Sequence, residues 1–278
     1  MAGAMRPRMA MLCAAALTML GAGAGAWWFV RAPEPEPMPE ALPMPPFPPR
    51  IASDDNYERC LTLLTEDPSG AEAAAGVWQT KGGGDGAVHC LALAQIATGQ
   101  VLAGAALLER LGQDSAAAEP ARALVLGQAA QARMLAEQPD QALRDATAAL
   151  ALAPDDLGLL IYRASVAARL GQHETAIGDL SAALARDAER ADALVVRAAS
   201  WRAMNRLDRA ALDIARAIEL NPDDPEAWLE RGIQRQRTHD SAGARADWEQ
   251  ARRLDPNGAV ADMAEQNLAL LDASPEEK

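Results

Sequence analysis

The sequence predicts an all-α protein built from repeated pairs of helices, and three observations carry this prediction. Half of the 278 residues are hydrophobic but only 4% are aromatic, so alanine and leucine supply most of the apolar content. These residues, with the many arginines and glutamates, are strong helix formers, and strand-like runs of Val, Ile, Tyr and Phe are missing. A pattern of small residues also recurs every 34 residues, which indicates stacked supersecondary units.

The repeat is defined by residues at fixed positions of a 34-residue unit. Four units follow one another, over residues 123–156, 157–190, 191–224 and 225–258. Position 8 is small in every unit: Ala130, Ala164, Ala198, Gly232. Position 20 is always alanine: Ala142, Ala176, Ala210, Ala244. Position 27 is always alanine as well: Ala149, Ala183, Ala217, Ala251. Position 23 is always aspartate: Asp145, Asp179, Asp213, Asp247. Position 32 is proline in three units and alanine in one: Pro154, Ala188, Pro222, Pro256.

These residues at this spacing resemble the tetratricopeptide repeat, a helix–turn–helix unit of the same length. The resemblance covers about half of the chain. It implies an all-α superhelix of helical hairpins (an α-solenoid), in which the small residues let helices approach closely. One departure is position 7, usually leucine in the family, which is arginine at Arg163, Arg197 and Arg231. With the aspartates at position 23 these could form an ion-pair ladder, which we expect to be a solvated polar face rather than a ligand site.

The pattern weakens before residue 123. Residues 51–122 are predicted to be degenerate helical repeats, with helices near 54–66 and 70–80. Gly99 aligns with Gly171 and places another unit at 85–118. The glycine-rich loop at 81–86 lacks the Lys-Ser/Thr of a phosphate-binding loop, so we interpret it as a flexible connection. After the repeats, 259–272 is predicted to be a polar capping helix and 273–278 a disordered tail.

The N-terminal residues 1–31 are predicted to direct export. Arg6 and Arg8 precede 22 residues without charge, from Met9 to Val30. This stretch is either a signal peptide, cleaved after a small-residue run at 24–26, or an uncleaved membrane anchor. Both alternatives place the rest of the chain in the periplasm. The proline-rich residues 32–50 are predicted to be an extended linker.

Cysteine usage fits an oxidising compartment. Cys13 lies in the export segment, which leaves Cys60 and Cys90 as an even pair in the exported part. A disulfide between them is the leading interpretation. The alternatives are two buried thiols, or metal binding together with His89, which the missing CxxC spacing disfavours.

Charge and motifs argue against several function classes. The formal net charge of −13 does not fit a nucleic-acid-binding surface, which would need a basic stripe. The three histidines, His89, His173 and His239, belong to no catalytic or metal-binding motif. The sequence therefore predicts no catalytic site, no metal and no cofactor, and a chain that is not an enzyme.

The resemblance implies that the chain binds a protein or peptide partner. In the tetratricopeptide family, positions 2, 5, 9 and 12–13 of the first helix line a groove that binds peptide segments. We predict the following groove residues: Ile161, Ser165, Arg169, Val195, Ala199, Arg202, Leu229, Ile233, Arg237. The apolar members should receive anchors, and the three arginines should form a basic row for acidic groups beside them. The Lys and Asn of the family's carboxylate clamp are absent.

The sequence thus favours a non-enzymatic periplasmic scaffold that holds a partner segment in its groove. Three alternatives stay open. The chain could be an assembly chaperone similar to the membrane-anchored repeat proteins of cytochrome c maturation. It could be an accessory or regulatory subunit of an envelope enzyme. Its groove could also be occupied by its own N-terminal helices.

Overall fold

The computed structural model describes residues 50–273, and within this range it consists of α-helices without a strand. The predicted all-α class is confirmed. The predicted export segment, nearly all of the predicted linker and the predicted C-terminal tail lie outside the described residues. The thirteen described helices are α1 Asp55–Glu66, α2 Pro68–Thr80, α3 Gly84–Ala97, α4 Val101–Asp114, α5 Glu119–Leu135, α6 Pro139–Leu152, α7 Leu157–Arg169, α8 His173–Arg186, α9 Ala191–Ala203, α10 Leu207–Leu220, α11 Pro225–Arg237, α12 Ser241–Leu254 and α13 Ala259–Ala273.

The helices form six consecutive hairpins, from α1–α2 to α11–α12, and α13 packs on the last one. The hairpin α3–α4 has the same spacing as the hairpins of the regular repeats, although its sequence is degenerate. The first hairpin is shorter, because only Asp67 separates its helices. The Asp67 carboxylate accepts a hydrogen bond from the Gly70 amide (2.9 Å) and so caps α2, which begins at Pro68.

The turn inside each of the last five hairpins has one residue in the left-handed conformation. These residues fall at position 15 of five successive units: Gly99, Glu137, Gly171, Asn205, His239. Glycine adopts this conformation without strain, whereas glutamate and histidine do so at a cost of about 1 kcal/mol. The packing of the hairpin therefore sets the turn geometry, because the turn keeps the left-handed conformation even where the residue disfavours it.

Small residues let the two helices of each hairpin pack closely. The alanines at positions 8, 20 and 27 are buried, nearly all of them completely. In the last unit a Cβ at position 8 would collide with the indole of Trp248, so Gly232 makes room for that side chain. The core is thus a continuous layer of small residues between helices, with clusters of Leu, Ile and Trp at intervals.

Each of the last three hairpins is joined by an arginine–aspartate pair. Arg163 holds Asp179 through two hydrogen bonds of 2.8 and 2.7 Å, from Nε and Nη2. The equivalent pairs have the same two-bond geometry: Arg197 with Asp213, and Arg231 with Asp247. The predicted ladder is present, but it is not a solvated face, because all three aspartates are buried.

The first regular repeat, 123–156, has the aspartate without its arginine. Position 7 is Ala129 there, and the nearest cation to Asp145 is Arg133, whose Nε lies 3.7 Å from Oδ2. Arg133 also forms an ion pair with Glu109. Burial raises the pKa of Asp145 to about 6, and the Glu109 charge acts in the same direction. This hairpin is consequently the one in which the buried carboxylate is least well compensated.

A buried polar line connects the first three hairpins. The Tyr57 hydroxyl on α1 lies 2.7 Å from His89 Nδ1 on α3, and His89 Nε2 lies 2.7 Å from Gln128 Oε1 on α5. Burial lowers the pKa of His89 to about 4, so the ring is neutral. The hydroxyl therefore donates to Nδ1, and the Nε2–H donates to the glutamine.

Cys60 and Cys90 meet beside this line. Cys60 of α1 and Cys90 of α3 are joined as a disulfide with their Cα atoms 6.3 Å apart, inside the usual range. Cys60, Cys90 and His89 were the alternative metal ligands. Both sulfurs are in the disulfide and both His89 ring nitrogens are in hydrogen bonds, so none of these atoms is available to bind a metal ion. The oxidation state of the cysteines in the cell stays a prediction.

The glycine-rich connection between α2 and α3 is shorter and more tightly packed than predicted. Helix α3 begins at Gly84, so the last three residues of 81–86 are helical. A Cβ at Gly83 would lie 2.6 Å from Trp78, and one at Gly86 would lie 2.9 Å from the same indole. These glycines make room for Trp78, which accounts for the cluster without a ligand.

We expect two glycine substitutions to change the free energy of unfolding in opposite directions. Gly171 needs its positive φ of 74°, whereas Gly178 is helical and exposed on α8, with open space around its Cα. Gly171→Ala should lower the free energy of unfolding by about 1 kcal/mol. Gly178→Ala should raise it by about 0.5 kcal/mol, because alanine favours the helix. Urea unfolding of both variants tests this, and a loss of stability in both would contradict it.

Candidate functional site

The first helices of the hairpins lie on the inner, tighter side of the stack. Close contacts join α1 with α3, α7 with α9, α9 with α11, and α11 with α13. Neighbouring second helices make no comparable contacts within residues 50–273. The array therefore curves with its first helices inside, which is the side where the predicted groove residues lie.

The predicted apolar groove residues are mostly packed within this inner layer. Ile161, Val195 and Leu229, at position 5 of their units, are only 6 to 8% exposed and belong to the core clusters. Ala199 and Ile233 are half-buried. The Ser165 hydroxyl, also half-buried, donates to the Ile161 carbonyl oxygen (3.0 Å). Position 5 therefore presents little side-chain surface to a partner, and a binding role for these residues stays a prediction.

The three predicted groove arginines have different environments. Arg202 forms two hydrogen bonds with the buried carboxylate of Glu230, at 2.5 and 3.1 Å. Arg237 donates to the Arg202 carbonyl oxygen (3.1 Å) and to Asn205 Oδ1 (3.2 Å). Arg169 is exposed at the end of α7. The expected open basic row is thus interrupted, because sequence spacing did not show that Glu230 would neutralise its middle member.

A cavity opens on the inner side between α5 and α7, which, like α3 and α5, are neighbouring first helices without close contacts within residues 50–273. Its volume is about 320 Å³, and we call it the inner cavity. Its lining is mostly apolar or neutral, and Asp156 is the charged exception: Pro120, Ala123, Leu124, Gly127, Gln128, Gln131, Ala153, Asp156, Gly158, Leu159, Tyr162. The Asp156 carboxylate caps α7 by accepting from the Leu159 amide (2.9 Å).

Two polar atoms in the lining are buried and have no hydrogen-bond partner among the described residues: Tyr162 Oη and Gln131 Oε1. Burial raises the pKa of the Tyr162 hydroxyl above its usual value, so the group stays protonated and can donate. An unpaired buried polar group costs about 1–3 kcal/mol. A ligand that hydrogen-bonds to these atoms would recover part of that cost, which favours occupation of the cavity.

Position 5 of the first regular repeat is Gly127, which lines the inner cavity and gives room to Leu159. The other repeats have Ile161, Val195 and Leu229 there, which fill the space between neighbouring first helices. A Cβ at Gly127 would already lie 2.9 Å from Leu159 Cδ2. Our predicted groove residues omitted this unit, although positions 2, 5 and 9 in it line the cavity. The signal was present, since Gly127 is the one small residue in a column of large apolar side chains.

Other parts of the surface are less specific. Depressions of about 760 Å³ and 400 Å³ lie between α1 and α2 and between α10 and α11. Neither is lined by a buried polar atom that lacks a partner in the described residues. Residues 50–273 contain no group of three or more His, Cys, Asp or Glu side chains suited to a metal ion. Within the same range, no helix combines the length and the apolar character needed to cross a bilayer.

Comparison with known proteins identifies the fold. No protein-family model matches the chain, and no curated protein matches it. Among solved structures, the Cut9–Hcn1 hetero-tetramer of APC/C aligns with 77% of this chain and 42% of its own, at 15% identity and a TM-score of 0.57. MamA (residues 41 to the end) from Desulfovibrio magneticus RS-1 aligns with 75% of this chain and 99% of its own, at 13% identity and a TM-score of 0.52. YrrB, described as a TPR protein with an unusual peptide-binding site, aligns with 77% of this chain and all of its own, at 16% identity and a TM-score of 0.48.

The chain has the fold of the tetratricopeptide-repeat solenoids. The predicted resemblance and the predicted solenoid of helical hairpins are both confirmed. Structural likeness at these identities concerns the fold alone. What this chain binds has to be inferred from its own residues.

We expect charge reversal at two of the groove arginines to have different effects on the free energy of unfolding. Arg202→Glu should place a second carboxylate against buried Glu230, whose pKa burial already raises. It should lower the free energy of unfolding by about 3 kcal/mol. Arg169→Glu, on the exposed end of α7, should change it by less than about 0.5 kcal/mol. Thermal melting followed by circular dichroism tests this, and equal effects of the two variants would show that the Arg202–Glu230 pair is not structural.

Proposed function

We propose that this tetratricopeptide-repeat protein is a non-enzymatic scaffold that binds an extended segment of a protein partner along its inner side. The inner cavity supports this proposal. It is a preformed recess between two first helices, with an apolar floor and two buried polar atoms that lack partners. Such a combination fits a peptide, because an apolar side chain can fill the recess while the peptide backbone forms the hydrogen bonds.

The charges around the cavity indicate a neutral anchor. Asp156 is the only ionisable acid in its lining, and no cation lines it. Arg202, which could have attracted an acidic partner, is neutralised by Glu230. We therefore expect the bound segment to be apolar and uncharged where it enters the cavity, in place of the acid-flanked partner that the arginine positions suggested.

The proposed compartment is the periplasm, with residues 9–30 either cleaved or retained as an anchor. The uncharged run and the flanking arginines of the N-terminus support it. The Cys60–Cys90 pair supports it as well, because structural disulfides persist in oxidising compartments.

The compartment and the disulfide can be tested together. Cells expressing the full chain would be treated with a thiol-blocking reagent before lysis, and the purified chain mapped by non-reducing peptide analysis. We expect one peptide pair that links Cys60 to Cys90. Recovery of both residues as blocked thiols would argue against the disulfide and against the oxidising compartment. A reporter enzyme fused after residue 278, active only outside the cytoplasm, provides the independent measurement.

Peptide binding can be tested with a random peptide display library selected on the full chain. We expect enrichment of uncharged apolar sequences, and the selected peptide should then be measured by calorimetry. Gly127→Leu should reduce its affinity at least tenfold, because the new side chain fills the cavity. Gly178→Leu is the matched control, since it adds the same side chain on the exposed face of α8. Equal affinities for the two variants would show that the inner cavity is not the binding site.

A further inference from the structure

The lining of the inner cavity favours a ligand that has no charge and has oxygen atoms that accept hydrogen bonds. The buried Tyr162 hydroxyl in this lining has no partner among the described residues, and the Asp156 carboxylate would repel an acid at the rim. A proline-rich segment meets these conditions. Its carbonyl oxygens remain available as acceptors, its missing N–H groups need no partner, and its restricted backbone loses little entropy on binding.

The chain itself contains such a segment. Residues 42–49, Leu-Pro-Met-Pro-Pro-Phe-Pro-Pro, contain five prolines and no charged residue. Their lack of charge contrasts with the acidic repeat array. The three arginines and three glutamates before residue 50 cancel, so the formal charge of −13 belongs to residues 50–278. An acidic array repels acidic segments but does not repel this uncharged one.

The segment is long enough to reach the cavity from the point where the described chain begins. The Arg50 guanidinium lies 5.8 Å from the centre of the Tyr57 ring on α1. Tyr57 is linked through His89 to Gln128, which lines the inner cavity. Two steps between neighbouring first helices amount to about 20 Å. From Arg50, an extended proline-rich chain spans about 25 Å to Leu42 and about 19 Å to Met44, so that Leu42 would reach the cavity and Met44 would reach its near edge.

We propose that residues 42–49 bind in the inner cavity of the same chain, with Leu42 or Met44 as the apolar anchor, and so compete with the partner segment. This inference rests on the proposed function, because it assigns an internal competitor to the same site. Tethering favours this occupant, since a short linker gives an effective concentration in the millimolar range. A partner must therefore displace the segment, and its apparent affinity is lowered by the fraction of chains in which the cavity is open.

Photo-crosslinking in the full chain tests the occupant directly. A genetically encoded diazirine amino acid would replace Met44, and crosslinked peptides would be mapped by mass spectrometry. We expect crosslinks within one chain to the cavity-lining parts of α5 and α7. Gly127→Leu should reduce them at least fivefold, and Gly178→Leu should leave them unchanged. Circular dichroism of both variants verifies that the helices are intact.

Two crosslinking results would overturn the proposal. One is the absence of crosslinks to α5 and α7 in the unsubstituted chain. The other is crosslinking between isotopically labelled and unlabelled chains when they are mixed, which would make a second copy the occupant.

A binding experiment separates failure of this inference from failure of the proposed function. In a second full-length chain, residues 42–49 would be replaced by an equally long Gly-Ser sequence. We expect the library-selected peptide to bind this chain about tenfold more tightly than the intact chain. Equal affinities would overturn the inference and leave the proposed function intact. If neither chain binds any selected peptide, the proposed function fails, and the Met44 crosslinks still decide whether the segment occupies the cavity.

Discussion

The close approach of the two helices in each hairpin is the constraint on which the rest of the structure depends. It requires small residues at positions 8, 20 and 27, and the structure buries those alanines almost completely. Larger side chains are then confined to a few columns, where they join one hairpin to the next. Because this arrangement repeats at a constant interval, the turn residue falls at position 15 in five successive units, even where it is glutamate or histidine. Local preferences are overruled wherever they conflict with the packing.

The same close packing makes a buried charge destabilising unless a partner compensates for it, and the hairpins differ in this compensation. Three aspartates are each held by an arginine through two hydrogen bonds, which satisfies both carboxylate oxygens. Asp145 has Ala129 where the arginine would be, and its pKa is raised to about 6 as a result of burial. This weaker hairpin is also the one that contributes α5 to the inner cavity. The first regular repeat thus combines the least compensated carboxylate with the most open part of the inner side.

The candidate site lies where the repeat has glycine at position 5 in place of a large apolar residue. Gly127 lines the cavity between α5 and α7, and two other lining residues, Tyr162 and Gln131, each have a buried oxygen without a partner among the described residues. Where the position holds Ile, Val or Leu, neighbouring first helices pack together and the inner side is filled. Asp156 is the one charged residue in the lining of this recess, although the array around it is strongly acidic.

The amino-acid sequence by itself determined the helical class, the 34-residue unit, the hairpin boundaries after residue 123 and the pairing of arginine with aspartate in three units. These features depend on residues a fixed number of positions apart, so periodicity reveals them. The sequence also indicated Cys60 and Cys90 as a pair, but it did not give the distance between them. Only the tertiary structure decided that Arg202 is neutralised by Glu230, 28 residues away in the next hairpin, and that Ile161, Val195 and Leu229 are buried. It alone decided that a cavity lies beside Gly127, because the space at one position depends on how two separate helices pack.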